Sequence, residues 1–179
     1  MIFKPTAVAG AFVIELDKRE DDRGFFSRAW CKQEFEHYGL NAKFVQGNWA
    51  FTRERGTLRG LHYQIAPHQE AKLVLCIQGS IFDVIVDLRP GSITHRKWAG
   101  TAISASDRKL IYVPEGCAHG YLSLADDTEL FYQTTQLYFP ESERGLRWDD
   151  PAFGIVWPVT EPARISDKDR NWPDYLSSA

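Results

Sequence analysis

The sequence predicts an all-β fold, either a sandwich or a barrel, and three observations carry that reading. Short segments rich in β-branched and aromatic residues recur along the first three quarters of the chain. Turn signals separate them, and only one stretch shows a helical pattern. Many short strands at such spacing close into a sandwich or barrel rather than an α/β sheet.

In chain order the predicted strands are AFVIEL (11–16), GFFSRAW (24–30), KFVQGNWAF (43–51), LRGLHYQ (58–64) and AKLVLCI (71–77). SIFDVIVDL (80–88), KWAGTAIS (97–104), KLIYVP (109–114), HGYLSLA (119–125) and TELFYQTTQ (128–136) follow. The clearest is the sixth: Ile81, Asp83, Ile85 and Asp87 share one face and Phe82, Val84, Val86 and Leu88 the other, before RPGS supplies a turn. CKQEFEHYG (31–39) reads as the one helix, with Gly39 as its C-terminal stop. After about Pro140 the pattern gives way to loops and short helical turns, and Trp148, Trp157 and Trp172 in that tail need cover. The expected organisation is therefore a single domain over 1–179. Its barrel core spans about 10–138, and a tail of about 140–179 packs over it.

Composition narrows the function. With 179 residues and 44% hydrophobic content the chain can bury one sizeable core. A formal charge of −3 exerts no global pull on nucleic acid or an anionic membrane, so neither is an expected partner. An anionic ligand would need a local cluster of cations. No apolar run approaches the ~20 residues that span a bilayer. Cys31, Cys76 and Cys117 are odd in number and far apart, as expected of reduced thiols in a cytoplasmic protein.

The informative residues are polar ones inside strands. Arg59 and His62 stand in LRGLHYQ, Lys72 opens KLVLCI, and His119 opens the strand after VPEGCA. Three residues apart, Arg59 and His62 point to opposite faces of an ideal strand, but Gly60 between them permits a bulge that brings them round. A metal site of the kind small β-barrels often carry uses an H-x-H pair with a carboxylate close behind. Here His62 is followed by His68 and Glu70 instead, so no metal is expected.

Seven stretches, DDRGFFSR, FVQGN, LRGLHYQ, KLVLCIQGSIFDVIVDLRPGS, VPEGCAHGYLSL, LFYQTTQLYFPESERGLRWDDPAFGIVWP and ISDKD, occur in this order over nearly the whole chain. Together they resemble the dTDP-4-dehydrorhamnose 3,5-epimerase family. The resemblance implies a cupin-type jelly-roll barrel, a homodimer, no cofactor, and a nucleoside-diphosphate 4-keto-6-deoxyhexose as substrate. By the same resemblance His62 is the base, Asp169 orients its imidazole, Lys72 faces the enolate oxygen and Tyr132 is the acid. Arg23, Arg59, His119 and Lys168 are anion contacts, Tyr138 stacks on the nucleobase, and Gln46, Asn48 and Glu143 complete the ligand shell.

The chain departs from the family's pattern at two places. Arg28 stands where the family usually has an acidic residue, and Gln46-Gly47-Asn48 where it usually reads Gln-Asp-Asn. Both belong to the nucleotide surroundings, and a donor-only guanidinium at 28 suits a base edge that presents acceptors, as cytosine does. The alternatives to a 3,5-epimerase are thus an enzyme that inverts only C3 or C5 on a differently linked sugar, or a sugar-nucleotide-binding barrel without turnover.

Overall fold

The computed structural model describes residues 1–175. The strands are β1 (Ile2–Pro5), β2 (Phe12–Glu15), β3 (Arg19–Asp21), β4 (Gly24–Phe26), β5 (Gln46–Thr52), β6 (Thr57–Gln64) and β7 (Lys72–Gln78). They continue with β8 (Ser80–Asp87), β9 (Trp98–Ser104), β10 (Leu110–Val113), β11 (Cys117–Ser123), β12 (Thr128–Thr134), β13 (Glu143–Gly145) and β14 (Arg164–Ile165). The helices are α1 (Lys32–His37) and α2 (Asp167–Arg170). One sheet has the order β1-β2-β10-β7-β12-β5 and the second the order β13-β6-β11-β8-β9, with β14 parallel to β6. This is the all-β architecture the sequence predicts, in the cupin-type jelly-roll form with few short helices that the family resemblance implies.

The core lies between the sheets. Val74, Cys76, Ile111 and Leu130 of the first meet Ile81, Ile85, Ile103 and Cys117 of the second in one buried cluster. The β8 alternation resolves as read: Ile81 and Ile85 enter this cluster, while Phe82, Val84, Val86 and Leu88 pack on the other side. That second cluster is closed by Leu146, Trp148, Phe153 and Trp157 of the C-terminal segment, with Trp157 Nε1 donating to the Trp148 carbonyl at 2.8 Å. A third cluster covers the outer face of β1, β2 and β10, where Phe35 of α1 meets Phe3 and Tyr112 edge-on at 5.4 and 5.8 Å.

Strand pairing reaches beyond the expected core range at both ends. β1 pairs with β2 although Lys4 and Pro5 interrupt its apolar run, because an edge strand tolerates a proline that donates nothing. β13 and β14 flank β6; at three and two residues they are too short for a periodic signal. GFFSRAW is mostly not strand, and only Gly24–Phe26 pairs, in the β3-β4 hairpin.

Candidate active site

A cavity of about 750 Å³ opens between the sheets, and His62, Tyr132, Asp169, Lys72, Arg59, His119 and Lys168 all line it. Arg59 and His62 share it because β6 is irregular against β11, where the register shifts between His119 and Tyr121. Gly60 sits at the irregularity with φ +113°, and a Cβ there would stand 2.7 Å from the Gly120 Cα and 2.8 Å from the His119 carbonyl. Only glycine fits that conformation and that approach. The bulge anticipated from the spacing is what brings both side chains into one cavity.

His62 comes from the second sheet, and its Nε2 lies 2.6 Å from Asp169 Oδ1. Asp169 is 5% exposed and its other oxygen accepts from Gly60 N–H at 3.2 Å. Ser166 caps α2 by accepting from Asp169 N–H at 3.1 Å, which fixes the carboxylate's approach from the C-terminal segment. Burial pushes the Asp169 carboxyl up, but the hydrogen bond with His62, the charge His62 carries when protonated, and the bonds with Gly60 and Ser166 together outweigh it and hold the carboxyl below its ordinary range. Because an ionised carboxylate only accepts, the His62 proton sits on Nε2 and Nδ1 is left as the basic nitrogen.

Tyr132 and Lys72 come from the opposite sheet. Tyr132 pairs with Val74 and Thr134 with Lys72, so the phenol and the ammonium are same-face neighbours on adjacent strands. Lys72 is buried at the head of its strand, pairs with Glu70 at 3.2 Å and donates to the His62 carbonyl at 3.4 Å. Burial first, then the charge of Glu70, raises the Tyr132 phenol above its ordinary value, so it keeps its proton well past neutral pH.

Around the mouth, Lys168 pairs with Glu143 at 2.6 Å, Tyr138 donates to the same carboxylate at 2.6 Å, and Gln46 donates to Asn48 at 2.9 Å. The Tyr138 backbone N–H reaches Gln46 Oε1 at 3.4 Å. These residues form one connected rim. Gln64, which the sequence reading passed over, clips that rim to the cavity: its Nε2 donates to Glu70 at 2.8 Å, and its Oε1 accepts from Phe139 N–H at 2.6 Å.

Arg23 and Arg28 are not in this chain's cavity. Arg23 pairs with Asp21 at 2.6 Å. The Arg28 side chain is 62% exposed and pairs with Glu34 at 2.7 Å, in a separate hollow beside Met1 and Arg19. At Gly47 the missing side chain opens no space toward Gln46 and Asn48. Its neighbour is the Phe131 ring, 3.2 Å from where a Cβ would sit, on the other face of β5 from those two residues.

Glu70, Asp83, Thr52 and Tyr121 are further polar neighbours that sequence reasoning did not assign. Thr52 Oγ1 lies 3.0 Å from the Tyr121 hydroxyl and accepts from Arg59 Nε at 3.2 Å, which aims the guanidinium along the cavity wall. Asp83 had a usable signal, since a carboxylate among inward-facing isoleucines must have a partner. Among the described residues no three His, Cys, Asp or Glu side chains converge as a metal site.

The arrangement places an oriented imidazole on one wall and, on the facing wall, a protonated phenol beside a fixed ammonium. It can remove a proton from a carbon acid, stabilise the resulting oxyanion and return a proton to the opposite face. The comparisons with known proteins agree with that chemistry. A curated dTDP-4-dehydrorhamnose 3,5-epimerase of Methanothermobacter thermautotrophicus is 44% identical over 172 residues, 95% of this chain and 92% of that protein. The crystal structure of the dTDP-4-dehydrorhamnose 3,5-epimerase from Elizabethkingia anophelis superposes with a TM-score of 0.95 at 37% identity, covering 99% of this chain and 97% of that one. The dTDP-6-deoxy-D-glucose-3,5-epimerase of Legionella pneumophila, solved in complex with dTDP-4-keto-L-rhamnose, matches with a TM-score of 0.85 at 36% identity over 94% and 89% of the two chains. The model of the dTDP-4-dehydrorhamnose 3,5-epimerase family matches residues 5–176, and with relatives this close over nearly their full length, the chain belongs to that family.

Proposed function

We propose that the protein epimerises C3 and C5 of a dTDP-linked 4-keto-6-deoxyhexose, as one domain over 1–179, by way of an enolate. One observation carries this reading: His62 enters the cavity from the second sheet, held by Asp169 of α2, while Tyr132 and Lys72 enter it from the first. The ketone at C4 acidifies the C3 and C5 protons. His62 Nδ1 removes one of them, and Asp169 stabilises the imidazolium that forms. Lys72 faces the enolate oxygen, where negative charge grows only as the reaction proceeds. Tyr132 delivers a proton from the facing wall and inverts the centre. Arg59, His119 and Lys168 supply the cations for the diphosphate, and Tyr138, half-exposed at the rim, offers its ring to the base.

The nucleotide follows from the geometry at the two departures. Arg28 is already paired with Glu34 and Gly47 lies against Phe131, so neither changes the cavity of its own chain, which supports the thymidine nucleotide over a cytidine one. Uncovered apolar surface on the β5 strand, with Trp49 65% and Phe51 45% exposed, supports the homodimer. No helix among the described residues is long and apolar enough to cross a membrane, and Cys31, Cys76 and Cys117 are free, in keeping with a cytoplasmic enzyme.

The test is incubation with dTDP-4-keto-6-deoxyglucose, and with its CDP-linked counterpart, in heavy water. Deuterium should enter C3 and C5 of the dTDP sugar, with kcat/KM at least tenfold above the CDP sugar. No incorporation at either carbon overturns the reading; incorporation at one alone makes the protein a single-centre epimerase.

A further inference from the structure

The cavity holds a second histidine–carboxylate pair. His119 Nε2 lies 2.7 Å from Asp83 Oδ2, with Asp83 1% exposed. His119 and His62 are directly opposed across β11 and β6, and opposed residues of an antiparallel pair project from the same face. Both imidazoles therefore reach the cavity from one wall, each with a carboxylate behind it.

The two carboxylates differ in what else holds them. Asp169 shares its charge between His62 and the Gly60 N–H. The Asp83 carboxylate has no hydrogen bond among the described residues other than the one with His119. A carboxylate buried this deeply is costly unless a partner balances it, and among the described residues His119 is its one ion-pair partner. Because ionised Asp83 only accepts, the His119 proton sits on Nε2 and Nδ1 is left to the cavity. A second proton taken up at Nδ1 would turn that edge into a donor toward an anion, with the counter-charge already behind the ring.

Other cations in the cavity are less free to serve. Lys72 is paired with Glu70 and Lys168 with Glu143, while Arg59 Nη2 donates to the Phe51 carbonyl at 2.9 Å. We propose that Asp83 is a positioning residue: its carboxylate takes the Nε2–H of His119 and supplies the counter-charge with which Nδ1, carrying a second proton, donates to the diphosphate of the nucleotide sugar. This rests on the epimerase reading, and the experiment separates the two.

The probe is dTDP, titrated calorimetrically against the parent, Asp83→Asn, His119→Gln and the double variant. Asparagine keeps an acceptor for Nε2–H but not the charge, so dTDP binding should weaken at least tenfold, about 1.4 kcal/mol. In turnover the loss should appear in KM, with kcat within about threefold. Asp83→Asn placed on His119→Gln should cost less than twofold more, because the carboxylate acts through the ring. Additive losses, or binding by Asp83→Asn within twofold of the parent, overturn the inference and leave the epimerase reading standing. If the parent itself does not bind dTDP, both fall. Should Asp83→Asn not fold, 15N spectra of the parent's His119 ring decide: Nδ1 gaining a proton on dTDP binding supports the inference, and an unchanged Nδ1 overturns it.

Discussion

Replacing Asp169 by asparagine tests the base more sharply than deleting His62, because the fold can keep every hydrogen bond and still lose the chemistry. The carboxylate accepts from His62 Nε2 at 2.6 Å and from Gly60 N–H at 3.2 Å, on different oxygens. Asparagine has only one acceptor. If its oxygen takes the Gly60 N–H, the amide NH₂ faces His62 Nε2, and the imidazole proton must move to Nδ1, the nitrogen that has to be basic. If instead the oxygen takes Nε2–H, the NH₂ opposes the Gly60 N–H and leaves a buried donor unpaired, at about 1–3 kcal/mol. The inactive tautomer is thus the favoured one. Loss of the charge-assisted bond to the forming imidazolium adds about 1.5–3 kcal/mol. Together these come to roughly 2.5–6 kcal/mol, or about 10²–10⁴-fold in rate. The assay is deuterium uptake at C3 and C5 of dTDP-4-keto-6-deoxyglucose in heavy water, alongside a thermal melt to establish that the variant is folded. A folded Asp169→Asn that exchanges within tenfold of the parent refutes the assignment of Asp169 as the residue that sets the His62 tautomer.

Tyr132→Phe keeps the ring but not the proton donor, so deuterium wash-in through His62 should persist while net inversion falls at least tenfold; equal loss of both would mean the phenol only positions the sugar. Since burial and then Glu70 raise this phenol, activity in the parent should hold to about pH 10 and fail only as pH climbs through the raised value, and an alkaline limb below pH 9 would contradict Tyr132 as the acid. Activity should be unchanged by EDTA, and elemental analysis should find no stoichiometric transition metal, because no H-x-H pair is present. Asp87→Asn should cost about 3 kcal/mol in a denaturant titration, since this fully buried carboxylate accepts from Arg89, Ser92 and Thr94 at 2.8, 2.6 and 2.6 Å. Burial pushes its carboxyl up, but those donors outweigh it and hold it far below the usual carboxylate range. The contribution is therefore whole above the unfolded value of about 3.9 and fades as pH falls below it, so the variant and the parent should converge in strong acid.

The sheets were legible because their residues repeat. A period of two with β-branched and aromatic side chains marks β7, β8 and β12 wherever they lie, and Gly39 at φ +70° ends α1 as its place at the close of CKQEFEHYG implies. β1, β13 and β14 carry no such repeat, and what makes them strands is the neighbour they pair with, for β14 one far off in sequence: Arg164 pairs with Thr57. The site divides in the same way. Arg59, His62, Lys72 and His119 were visible as polar residues in apolar strands, whereas Asp169, 107 residues from His62, came only through the family's ISDKD motif.

Asp83 and Asp87 show where the boundary falls. They occupy equivalent positions in one alternation, two inward carboxylates between isoleucines and a turn, yet one belongs to the cavity and the other to a structural knot. What separates them is the distance along the chain to a donor. Asp87 ends its strand, and within seven residues the following turn offers Arg89, Ser92 and Thr94, all of which it uses. Asp83 sits in mid-strand, where the alternation offers only apolar neighbours on its own face, so its partner has to come from an adjacent strand. β11 pairs with β8 and supplies His119 from 36 residues away. A buried carboxylate with donors in its own turn is satisfied locally and steadies the fold. One without them must draw a cation or an imidazole into the barrel, and that requirement places a titratable group in the cavity where a ligand can use it.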